Sequence, residues 1–244
     1  RRGRRPCVSE RRTATRPVLH GLPVPVTLRV SPRAPRLTLR LETSGEGAVL
    51  THPPGVSRRD LATFLERHSG WLAEAAASLP SPVPVTDGST LPVDGAERLI
   101  RRRGGLRSPT LEGETLAVPM GAKVGPGLAG WLKARARARL SALADSYAGR
   151  LGRRHTGIGV RDTRSRWGSC SSRGRLSFSW RLAMAPQEVQ AYVAAHEVAH
   201  LAEMNHSARY WAALAGLMPD YEAPRAWLKE NGRLLHRYRL GTER

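Results

Sequence analysis

The stretch from Ala195 to His206 reads A-H-E-V-A-H-L-A-E-M-N-H, and it constrains the fold more than any other part of the chain. His196 and His200 lie four residues apart, so one helical turn sets both imidazoles on the same face, where two nitrogens converge on one point. Glu197 is rotated from His196 by about 100 degrees. That offset places its carboxylate beside an open coordination position without making it a ligand, which is the place for a general base. A catalytic zinc also needs a third protein ligand, and His206 and Glu222 are the two candidates downstream. A continuous helix would turn His206 well away from the histidine pair. Its use therefore requires the helix to end near Met204 and Asn205, where Asn can adopt left-handed geometry or cap a new helix over 207–217. Glu222 would instead supply a carboxylate from a more distant helix. Spacing favours His206. His52, His68, His155 and His236 show no comparable pattern and read as surface or interface residues.

The remainder of the chain must build a scaffold for that helix. With 244 residues and 40% hydrophobic content it can form one large domain or two small ones. No apolar run approaches the roughly 20 residues needed to cross a bilayer, so neither a membrane span nor a secretory signal is expected. Cys7 and Cys170 cannot make a disulfide framework, which points to a reducing cytoplasm. The formal charge of +20 suits a polyanion such as nucleic acid. Nearly all of it is Arg, however, in a chain rich in Ala, Gly and Pro, and a GC-rich genome produces the same mixture. Both explanations stand at this point.

Three segments are expected. Residues 1–21 carry seven arginines and little apolar content, and read as a disordered basic tail that also resembles a transit peptide. Residues 22–125 read as a β-rich N-terminal region. Antiparallel strands are expected at Val24–Val30, Leu37–Leu41 and around Val49–Leu50, then a helix capped by Ser57 and Asp60 that runs to about Leu79. A Pro-rich break from Pro80 to Pro92 follows, with short strands around Leu99 and Leu116–Val118. Residues 126–244 read as the catalytic domain. It starts with a helix over Gly127–Arg150, whose Arg135, Arg137 and Arg139 spread over a polar face, and continues with a hairpin over 158–182. Pro186 then opens the helix that bears the histidines.

Three linked motifs resemble a known family. S-R-W-G-S-C-S-S-R-G at 165–174, L-S-F-S-W-R-L at 176–182 and H-E-V-A-H-L-A-E-M-N-H-S-A-R-Y-W at 196–211 look like the YgjP-like metal-dependent hydrolases. The resemblance implies an α+β fold with a zincin-like catalytic region, in which the HExxH helix packs on a small antiparallel sheet. In site design it is related to the SprT-type and Wss-type proteases. It implies Zn2+ held by His196, His200 and His206, with Glu197 as base. It also implies a substrate-binding strand edge at Arg166, Trp167, Gly168 and Ser169. There Gly168 would permit close approach, or serve simply as a turn residue, Arg166 would neutralise an anion or oxyanion, and Trp167 reads better as a core aromatic than as a substrate contact. Cys170 reads as a small strand residue rather than a nucleophile. Tyr210 and Arg209 are candidates for stabilising a tetrahedral intermediate.

The expected function is peptide-bond hydrolysis by metal-activated water, acting on protein or peptide substrates. The resemblance also carries an alternative, nucleoside triphosphate pyrophosphatase activity on UTP, although three imidazoles suit zinc better than the magnesium such chemistry uses. A nucleic-acid-associated protein with a structural metal is the third class, against which Glu197 argues. Oligomeric state is not legible.

Overall fold

The computed structural model describes residues 18–19, 21–42, 47–78, 81–163 and 165–241. The tail reading over 1–21 falls mostly outside them, but Val18–Leu19 form a strand. Contacts divide the chain into two compact units, one ending at Leu79 and the other starting at Pro80. Each has its own hydrophobic core.

The first unit is a four-stranded sheet with two helices. Strands β1 (Val18–Leu19), β2 (Val26–Val30), β3 (Thr38–Leu41) and β4 (Ala48–His52) lie in the order β1-β2-β4-β3. The expected all-antiparallel arrangement is corrected by the central pair: β2 and β4 are parallel, from Val26↔Ala48 to Val30↔His52. β3 folds back on one edge of β4 and leaves β2 the other, which buries Val26, Ala48 and Leu50 together. The Ser57 cap forms as expected, its hydroxyl accepting from the Asp60 backbone N–H at 3.1 Å. The helix does not run unbroken to Leu79. It divides into α1 (Arg58–Arg67) and α2 (Ser69–Ala77) at His68, whose ring nitrogen donates to the Phe64 carbonyl at 2.7 Å. A side chain there competes for a helix carbonyl, which periodicity cannot reveal.

The second unit begins with strands inside the Pro-rich stretch. β5 (Val83–Pro84) and β6 (Thr90–Val93) are followed by β7 (Ala96–Arg103), β8 (Thr110–Glu112) and β9 (Thr115–Pro119). The last four form a sheet ordered β6-β7-β9-β8. Pro92 is tolerated because β6 is an edge strand. Leu91, Val93, Ile100, Leu116 and Val118 belong to the same core as the helices that follow. The boundary expected at 125 is therefore absent, and residues 80–125 are part of the site-bearing unit.

Helix α3 (Val124–Arg150) buries Val124, Leu128, Leu132, Ala136, Leu140, Ala144 and Ala148. A four-residue spacing outruns the 3.6-residue turn, so this stripe winds by about 40 degrees per step. One helix can thereby touch β9, the 3-10 turn Trp180–Met184, α4 (Gln187–Ala199) and β10 (Gly157–Arg161). The alanines, which the apolar pattern overlooks, are what let those elements approach.

β10, β11 (Gly168–Cys170) and β12 (Arg175–Ser179) form a sheet ordered β10-β12-β11. It is mixed rather than antiparallel: β10 runs parallel to β12, and only β11 and β12 make a hairpin. α5 (Ala208–Leu217), α6 (Glu222–Asn231) and β13 (Tyr238–Arg239), which pairs with β5, complete an α+β chain. Among the described residues no helix is long and apolar enough to cross a membrane.

Candidate metal centre

Helix α4 starts after Pro186 and is buried along most of its length. A tight turn grips its start. Asp94 and Gly95, with φ of 52° and 84°, join β6 to β7, and their N–H groups donate to the carbonyls of Ala183 and Met184. A Cβ on Gly95 would lie 2.9 Å from Pro186 Cα, so only glycine lets the turn sit so near the helix start. Gln190 donates to Asp94 at 3.0 Å, and Arg135 pairs with the same carboxylate.

The helix ends at Ala199 with His200 as its C-cap, earlier than the break expected at Met204–Asn205. Short-range backbone bonds make the reversal, among them Leu201 N–H to Val198 O and Ala202 N–H to Ala199 O. No residue in it needs positive φ. Asn205 acts through its side chain, which accepts from the Ser207 N–H at 3.0 Å, and Ser207 then caps α5.

This reversal brings His206 back to the helix. Donor nitrogens of His196, His200 and His206 lie within 4.8 Å of one another. The Nε2 atoms of His196 and His206 are 3.3 Å apart, close to the ~3.3 Å between two nitrogens each ~2.0–2.1 Å from a tetrahedral ion. The donor set therefore fits a metal that favours imidazole and tetrahedral geometry. Glu222 is exposed and outside this group.

Two of these rings have defined second partners. His200 Nδ1 donates to the Glu203 carbonyl at 3.1 Å, which leaves Nε2 for a ligand role. With His196 Nε2 turned to His206, its Nδ1 donates to the Tyr192 hydroxyl at 3.5 Å. Tyr210, fully buried, packs edge-on against His196 and His206 and tilted against His200, and donates from its hydroxyl to the His196 carbonyl at 3.1 Å. Sequence reasoning gave Tyr192 no role at the site and offered Tyr210 as a stabiliser of a tetrahedral intermediate. Their positions four residues from His196 and from His206 were the available signal.

Glu197 is 5% exposed. Burial pushes its carboxyl up to about 8, against a smaller opposing pull from Arg166, and burial with the neighbouring histidines holds the His196 imidazole down at about 4. Gly168 is what makes room for this acid. A Cβ at 168 would sit 2.7 Å from Glu197 Cδ and closer still to Oε1.

The other strand-edge residues divide. Arg166, Gly168, Ser169 and Cys170 line one cleft of about 270 Å³ with His196, Glu197, His200, Met204 and His206. Trp167 is not among the residues lining this cleft; its ring packs on His236 at 5.0 Å and over Gly232, as a core aromatic. β11 pairs only with β12 and leaves its other edge unpaired among the described strands. Burial, then the Glu197 charge, pushes the Cys170 thiol up, away from the reactive thiolate. A larger groove of about 730 Å³ runs along α3 from Trp131 to Leu143, but it offers alanines and the engaged Arg135 and Arg139, with no metal ligand or nucleophile.

An α+β scaffold that sets three imidazoles and a buried carboxyl around one point defines a metal-dependent hydrolase site. The model of the YgjP-like family, metallopeptidase domain, matches residues 36–231, and the chain belongs to that family, whose members are metal-dependent peptidases. Among solved structures, this chain is similar to the crystal structure of the metallopeptidase zymogen of Pyrococcus abyssi abylysin, at 19% identity. The match covers 39% of this chain and 94% of that one, with a TM-score of 0.35. No curated protein matches.

Proposed function

We propose that the chain is a zinc-dependent endopeptidase of zincin type, with zinc held by His196, His200 and His206. One observation carries the reading: the buried Glu197 carboxyl lines one cleft with three imidazoles whose donor nitrogens lie within 4.8 Å of one another, the His196–His206 pair at the 3.3 Å a tetrahedral ion requires. When bound, zinc supplies Lewis acidity, polarising a carbonyl and acidifying water. The chain supplies the rest. Glu197, beside the ligands, takes the proton of the attacking water and delivers it to the leaving amine. The free edge of β11 pairs with an extended peptide and draws it across the cleft, which suits cleavage within a chain. Arg166 neutralises charge that develops there, and Gly168 keeps the edge clear for Glu197. Substrates are cytoplasmic proteins or peptides.

The test is to purify the protein with zinc and assay an unfolded protein substrate and UTP, comparing Glu197→Gln. Proteolysis should fall at least about 100-fold in the variant with zinc retained, on the scale of a lost general base. Release of pyrophosphate from UTP that depends on Glu197, without proteolysis, would replace this reading with nucleotide hydrolysis. Zinc content assigns the third ligand: His206→Ala should lose the metal and Glu222→Ala should keep it.

A further inference from the structure

Several arginines of the second unit have structural partners. Arg98 and Arg102 donate to backbone carbonyls, Arg103 pairs with Glu112, Arg135 with Asp94, Arg139 with Gln187 and Arg181 with Asp162. Arg153, Arg154, Arg173 and Arg175 are exposed, and none of their guanidinium groups has a hydrogen bond or ion pair among the described residues; Arg101, Arg107, Arg137, Arg161, Arg209 and Arg233 share that state, and what sets the four apart is that they are brought together.

The backbone gathers these four at one end of the site-bearing sheet. The Thr156 N–H donates to the Gly174 carbonyl at 2.9 Å and its hydroxyl to the Arg173 carbonyl at 3.0 Å, which stitches the loop after α3 to the β11–β12 turn. Parallel pairing then sets Gly157 opposite Arg175. Gly157 and Gly159 leave a strip without side chains, and the Arg175 guanidinium lies across it, its Nη1 3.4 Å from where a Cβ on Gly157 would be. Gly152 and Gly174, with φ of 63° and 71°, make both turns tight. The nearby acid Asp145 is held by His155 at 2.7 Å. Four guanidinium groups against one nearby carboxylate leave a net excess of positive charge that destabilises a folded chain, so a cluster held by fixed backbone bonds calls for an anionic partner.

We infer that Arg153, Arg154, Arg173 and Arg175 form a docking surface for the phosphate backbone of duplex nucleic acid. Four cations in a small rigid area match a polyanion. Among the described residues the exposed large apolar side chains are Val30, Trp71, Met120, Met204 and Leu234, none of them in the cluster, so the cluster offers no wedge for a membrane interface and no exposed large aromatic for stacking unpaired bases. Readout is therefore of charge, independent of base sequence. The surface adjoins the metal centre: Gly174 faces Leu201, the residue after His200. The inference does not depend on the peptidase reading.

Anisotropy with a labelled mixed-sequence duplex tests it on the full chain. Replacing the four arginines by Gln should weaken binding at least 10-fold and flatten the log–log salt dependence by about 3.6, at roughly 0.9 per phosphate contact. A control with Arg29, Arg33, Arg36 and Arg40 replaced by Gln removes the same charge from the first unit and should bind nearly as wild type. Unchanged circular dichroism and zinc content in both variants exclude misfolding. Equal losses in the two variants, no binding by the wild type at physiological salt, or tighter binding to phosphatidylserine vesicles than to the duplex would each overturn the inference.

Discussion

Glu197 shows how one side chain's chemistry is set by its surroundings. Unfolded, its carboxyl ionises near 4.5; folded without metal, burial moves that to about 8. The folded chain then holds a proton that the unfolded chain has released, so this contribution to stability is complete below the unfolded value and is lost as pH rises through the folded one. Melting of the metal-free protein should show Glu197→Gln gaining on wild type between about pH 5 and about pH 9; parallel profiles would contradict a buried acid. Tyr192 is the second case. With His196 Nε2 turned to the ligand position, the Tyr192 hydroxyl accepts a hydrogen bond from His196 Nδ1 and so orients that ring. Tyr192→Phe should weaken zinc affinity roughly 10-fold in a chelator competition while melting of the metal-free form changes little. Equal affinities would reduce Tyr192 to packing. HExxH and its third histidine were legible because helical geometry relates neighbours in sequence. The fit of Gly168 beneath Glu197 was not, since it joins a strand to a helix far along the chain.

The turn between α4 and α5 decides whether three histidines become one site. Its parts are local: a C-cap at His200, the Asn205 side chain accepting from Ser207, and the Ser207 hydroxyl accepting from Tyr210 N–H. Ser207→Ala should cost about 1 kcal/mol of stability by chemical denaturation. Because the cap fixes the approach of His206, zinc affinity should fall more in Ser207→Ala than in Ser57→Ala, which removes a cap in the other unit. Equal affinities in the two would mean that α5 holds His206 without its cap. Caps and helix starts were readable for this reason: Ser57, Pro186 and Ser207 act on backbone within four residues. Strand direction was not. The parallel pairs β2–β4, β7–β9 and β10–β12 each join strands separated by another strand or a long turn, and alternation of apolar residues is the same in either direction.

The two cores imply two folding units, with every residue of the metal centre in the second. A fragment beginning at Pro80 should unfold cooperatively and bind zinc as the full chain does. Loss of cooperative melting would show that the first unit is needed for folding. The sequence by itself determined what acts over short range: the donor types, their helical spacing, the caps and the motifs that carry family membership. Tertiary structure decided the rest. It brought His206 rather than Glu222 to the pair, packed Trp167 against the core, joined residues 80–125 to the site-bearing unit and gathered four arginines at one sheet end. Each of these depends on which distant segments pack together, and a residue's own neighbours in the chain carry almost no record of that.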